Sequence, residues 1–157
     1  MPCTRSESVT LRRLAAAIGV LGLIGCASAD SDRPAPILPD ELEWSSPPAL
    51  PALAGAWLLG SESSVGAYVL RVRLDGNGRI PPHTHPDLRY TTVLSGTLYV
   101  GFGTAFDPDS VVAIPTGGVY VAPAGVAHYV WARDGDVEYQ EAGYGPTATE
   151  FVAPARH

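Results

Sequence analysis

Four histidines carry most of the chemistry available to this chain of 157 residues. His83 and His85 stand one residue apart in "PPHTHPDLRYTTVLSG", His128 follows "APAGVA", and His157 is the last residue. Neutral imidazole ligates divalent transition metals, and three imidazoles aimed at one point leave positions open for water or a substrate. The cofactor expected of such a set is one divalent ion of Fe, Mn, Ni, Zn or Cu. Residues two apart on a strand share a face, so His83 and His85 can project together into a common interior. Protonatable imidazoles would equally serve a metal-free pocket that captures a small anion.

The elements that must position these rings read as strands. Beyond Pro51, short runs rich in Val, Tyr, Leu and Thr recur between Gly, Pro and Asp clusters, and no convincing helical period is present. Strands are expected near 56–60, 66–74, 89–94, 97–102, 118–122, 127–132, 136–142 and 147–152. Turns are expected at "DGNGR", "SG", "FDPD", "PTGG", "PAG" and "RDGD". "AGAWLLGS" also admits a short helix. Many short strands punctuated in this way predict an all-β sandwich or barrel, and the length suits one domain.

Two stretches carry a family resemblance. His83, His85, position 89 and Gly96 keep the spacing of the first cupin motif; Gly117, Pro123, Gly125 and His128 keep that of the second, with Ala132 where Asn is usual. The stretch from about Glu41 to Val152 resembles small single-domain bacterial cupins of the RmlC-like group. This implies a double-stranded β-helix, the cupin jelly-roll barrel, with His83, His85 and His128 as metal ligands. It also implies a small-molecule ligand and, by analogy with small cupins, a homodimer. One departure stands out. The pattern has a Glu ligand where this chain has Arg89, and a guanidinium cannot ligate a metal. If strands alternate, Arg89, Thr91 and Val93 face inward. Arg89, together with Gln140, would then bind an anionic substrate, while Tyr90, Glu138 or Asp87 could stand in for the missing ligand. A metal-dependent oxygenase or isomerase and a metal-free binding or sensing module are both consistent with this pattern.

The remaining segments read as an address and a tether. Arg12 and Arg13 precede an apolar run from Leu14 to Ile24, too short to span a bilayer but suited to a secretory signal. Leu23-Ile24-Gly25-Cys26 resembles a bacterial lipobox. Residues 1–25 would then be a lipoprotein signal peptide and Cys26 a lipidated N-terminus holding the protein at a membrane, expected on the periplasmic side of the outer membrane. Residues 26–40, rich in Pro, Ser and Asp, form a tether. Residues 41–153 form the cupin domain and 154–157 a tail. Trp44 is expected to dock at the domain's start. The formal net charge of -6 and the lack of a basic stripe argue against a nucleic-acid partner. No Ser-His-Asp order, phosphate-cradling loop or dinucleotide fingerprint occurs.

Overall fold

The computed structural model describes residues 35–153. The signal and lipobox expectations, and His157, lie outside those residues. From Pro36 onward the described chain belongs to one compact unit. After a 3-10 turn at Pro39–Glu41 come ten strands: β1 (Leu53–Leu59), β2 (Gly66–Leu74), β3 (Arg79–Thr84), β4 (Arg89–Ser95), β5 (Thr97–Phe102), β6 (Val112–Pro115), β7 (Val119–Ala122), β8 (His128–Trp131), β9 (Val137–Gly145) and β10 (Glu150–Phe151). They pair antiparallel in two five-stranded sheets, β1-β2-β9-β4-β7 and β10-β3-β8-β5-β6. The chain repeatedly leaves one sheet and enters the other, the jelly-roll arrangement that the alternating pattern implies.

Between the sheets lies a core of Val72, Leu74, Ile80, Val93, Leu98, Val100, Val130, Val137 and Tyr139. On β4 buried and exposed positions alternate, Arg89, Thr91 and Val93 being buried and Tyr90 exposed, whereas β5 and β8 are buried at consecutive positions. The turn joining β4 to β5 requires glycine. Gly96 has φ 77°, and a Cβ there would lie 2.4 Å from the Asp136 carbonyl oxygen. Gly101 has a different role, because its missing side chain leaves room for the Tyr129 ring, 2.2 Å from where a Cβ would stand.

"AGAWLLGS" is a strand. Its helical alternative fails because β1 pairs along its length with β2, Trp57 lying opposite Leu70. Two strands, β3 and β6, were not anticipated. Both contain proline, which lacks a ladder donor and reads in a sequence as a break. In β3 the two prolines, Pro81 and Pro82, sit where the pairing with β8 shifts register, between Ile80 and His83. The expected strand at 147–152 shrinks to Glu150–Phe151, because Thr147 and Ala148 are engaged by side chains of the site. Trp44 does dock, its ring lying 4.0 Å beneath the Arg73 guanidinium, next to a bridge between Ser45 and Gly55.

Candidate metal centre

His83 is on β3 and His128 is its cross-strand partner on β8; His85 follows just past the end of β3. All three are buried, and one ring nitrogen of each lies within 4.8 Å of the others. The ring centroids are 4.8 Å (His83 to His85), 4.3 Å (His83 to His128) and 5.1 Å (His85 to His128) apart. Gly125, at φ 71°, turns the chain into β8, and its amide donates to the His85 carbonyl at 2.8 Å. The segment before His128 is thereby tied to the segment carrying the other two rings.

The opposite nitrogen of each ring fixes its tautomer. Nδ1 of His83 faces the Pro81 carbonyl at 2.7 Å, that of His85 the Ala148 carbonyl at 2.7 Å, and that of His128 the Val126 carbonyl at 3.1 Å. A carbonyl oxygen only accepts, so each Nδ1 carries the proton and each Nε2 keeps its lone pair. The His85 Nε2 is buried with no hydrogen-bond partner. Burial pushes His83 down to about 4, helped by the neighbouring His128. Burial and then the Arg89 charge push His85 down to about 3; burial lowers His128 as well. At neutral pH the three rings therefore present lone pairs rather than charge. This donor set fits a divalent transition metal: three neutral nitrogens, an orphaned buried lone pair, and outer hydrogen bonds that orient every ring.

Arg89 is buried on β4, but its charge is already matched. Nη1 donates to Glu141 at 2.7 Å, and Nη2 donates to Thr147 Oγ1 at 2.7 Å and to the Ala148 carbonyl at 3.3 Å. Asp87 lies 3.8 Å from Nε. Asp87 in turn accepts from the Thr147 hydroxyl and from Tyr68 at 2.5 Å. Burial raises the carboxyl of Glu141, and Arg89 pulls it part of the way back. A pocket of about 290 Å³ opens over His83, His85, Arg89 and Glu141.

Among the described residues the metal-capable cluster contains the three histidines and no carboxylate. Asp87 lies beside the site but belongs to the Arg89 network. The other expected stand-ins are not brought in. Tyr90 points outward and is 54% exposed, because β4 alternation turns it away from Arg89 and Thr91. Glu138 and Gln140 lie on the outer face of β9, where Arg71 bonds both and Arg73 bonds Glu138; Gln140, expected to bind substrate, is not among the residues lining the pocket over the histidines. The parity of β9 is set by Val137 and Tyr139, two buried apolar residues, so the inward carboxylate is Glu141. That parity was present in "VEYQE", and it identifies Glu141 rather than Glu138. Tyr68, which caps Asp87, carried no sequence signal beyond being aromatic.

A family model described as "Cupin" matches residues 59–151, well over half of the chain. The chain is a cupin. It is 40% identical over 76 residues to the putative germin-like protein 8-1 of Oryza sativa, a stretch that covers 46% of this cupin and 34% of that relative. It thus spans about a third of the length of the curated relatives it matches. Two solved structures share its fold. One is the polyketide cyclase RemF from Streptomyces resistomycificus (TM-score 0.64, 14% identity, 79% of this chain and 89% of that one). The other is an oxalate oxidase (TM-score 0.53, 22% identity, 64% of this chain and 55% of that one).

Proposed function

We propose that this cupin binds one divalent transition metal through His83, His85 and His128 and acts on a small organic molecule in the pocket above them. The observation that carries this reading is the tautomer lock. All three Nδ1–H groups are spent on backbone carbonyls, which leaves the Nε2 lone pairs for a ligand in a cluster whose ring nitrogens come within 4.8 Å of one another, and the Nε2 of His85 is buried and unpartnered. A purely structural histidine cluster would be expected to satisfy that buried nitrogen. When bound, the metal would supply Lewis acidity or oxygen activation to the ligand. The protein's own residues hold the three rings neutral and oriented, and Arg89, Glu141 and Asp87 keep a charged but internally compensated floor beside them. The relatives fit this reading without fixing it, since one structural neighbour is an oxalate oxidase.

The test is metal content. The protein, purified without a polyhistidine tag, should carry near-stoichiometric metal by mass spectrometry, or regain it on incubation with Fe(II), Mn(II), Ni(II) or Zn(II). Failure with every ion would leave a metal-free binding module as the better reading.

The same proposal places the protein at the cell envelope through a lipid on Cys26. This rests on the lipobox-like "LIGC" and the Arg-led apolar run before it. Cys26→Ser should abolish incorporation of labelled fatty acid and release the protein from the membrane fraction; persistent labelling would refute the anchor. A homodimer is proposed on family grounds and is checked by sedimentation.

A further inference from the structure

We propose that the pocket selects a molecule with an apolar body and a single metal-binding oxygen head, and that Arg89 does not serve as an anchor for a second anionic group. The inference rests on the metal-binding reading above and adds to it the class of ligand.

The first line of argument is charge. Among the described residues lining the pocket, Arg89 is the only Arg or Lys. Its guanidinium makes three hydrogen bonds inside the protein and faces two carboxylates, Glu141 at 2.7 Å and Asp87 at 3.8 Å. A substrate anion seeking either Nη would have to displace Glu141 or Thr147, and Nε, the one N–H without a hydrogen-bond partner, is itself buried beside Asp87, which would repel an incoming anion. The other charged lining residue, Glu62, is acidic and exposed at the rim. With three neutral imidazoles and a compensated Arg89, the favourable place for negative charge is the metal itself.

The second line is shape and polarity. Leu50, Leu53, Leu70, Val72, Ile80 and Phe151 make the apolar part of the lining, which also includes the polar Thr149. The Phe151 ring lies 6.1 Å from that of His83, so apolar wall and ligand-binding nitrogens adjoin. A volume of about 290 Å³ is at the small end for a ligand pocket. A mostly apolar lining beside one group of imidazoles and compensated charges suits a one-headed molecule the size of a substituted ring or a short branched chain. An extended polyanion would leave its far charge against leucine.

The experiment loads the purified full chain with zinc, which is redox-silent, and titrates three hydroxamates by calorimetry: acetohydroxamate, benzohydroxamate and 4-carboxybenzohydroxamate. All three offer the same head. Benzohydroxamate should bind about tenfold more tightly than acetohydroxamate, through burial of the ring, and the added carboxylate should erase that gain. In a Leu50→Asp variant the advantage of the ring should vanish, while acetohydroxamate should bind as in the parent. Tighter binding of the carboxylated ring than of the plain ring would show that Arg89 is free to take an anion and would overturn the proposal. Equal binding of acetohydroxamate and benzohydroxamate would also overturn it. A chain that holds no zinc, as mass spectrometry would show before any titration, would overturn the metal reading instead.

Discussion

His85 and Arg89 donate to the same acceptor, the carbonyl oxygen of Ala148, from Nδ1 at 2.7 Å and from Nη2 at 3.3 Å. A second Arg89 bond, to Thr147 at 2.7 Å, holds the residue before it. The side chain in the family's carboxylate position thus acts at one remove on His85, a proposed metal ligand. It fixes the segment whose carbonyl orients the His85 ring, in the manner of the outer hydrogen bonds that tune metal ligands.

On the metal-binding proposal Arg89 acts as a positioning residue, and its removal is expected to weaken zinc binding by about tenfold or more, read by competition with a chromogenic chelator. Arg89→Met alone strands Glu141, at a cost of about 3–5 kcal/mol in stability. The informative variant is Arg89→Met with Glu141→Gln, which removes the stranded charge. Weakened zinc binding in a folded double variant, partly restored by Arg89→Lys, supports positioning; unchanged affinity would reduce Arg89 to a structural role.

The two carboxylates of β9 should behave differently. Glu138→Gln breaks only bonds to Arg71 and Arg73 on the outer face, so zinc affinity should be unaltered and stability should fall by no more than about 1 kcal/mol. Glu141→Gln leaves Arg89 without its closest counter-ion and should reduce stability by several kcal/mol. Urea unfolding of the two variants side by side checks the contrast.

Acid should destabilise the metal-free protein before it protonates the site. His83 and His85 titrate near 4 and 3 in the folded protein, against 6.5 when exposed. As pH falls from 6.5 toward 4, the unfolded chain takes up protons that the folded chain refuses, so stability drops by up to about 1.4 kcal/mol per histidine for each pH unit. Above pH 6.5 their contribution is complete. Glu141, raised by burial, works in the opposite sense, gaining stability on acidification, but it is one group against three. Unfolding midpoints of metal-free protein at pH 7 and pH 5 should therefore fall, and less so in a His83→Gln variant.

Gly96→Ala should cost at least about 2 kcal/mol, since it adds left-handed strain to a clash. Its Cβ would stand 2.4 Å from the Asp136 carbonyl oxygen. Gly117→Ala is the control: it has a similar positive φ of 84° with nothing within 4 Å. Thermal melts should separate the two.

Sequence by itself determined the architecture and the histidines. Alternation on β4 and β9 and turn residues between the apolar runs dictate two layers of short strands, because side-chain periodicity is a local property. The same local rule puts His83 and His85 on one face, and the motif spacing adds His128. It also marks Arg89 as inward. What it left open was everything settled across strands. Proline hid β3, although that strand carries His83, because pairing with β8 and β10 outweighs the donors that Pro81 and Pro82 lack. The partner of Arg89 is 52 residues away, and only the β4–β9 pairing, with Thr91 opposite Glu141, brings the two together. That contact decided the state of Arg89. A buried guanidinium facing an empty pocket would anchor an anion, whereas one compensated by Glu141 and Asp87 becomes part of the scaffold. Sequence names the charge, but its neighbours in space set what that charge can do.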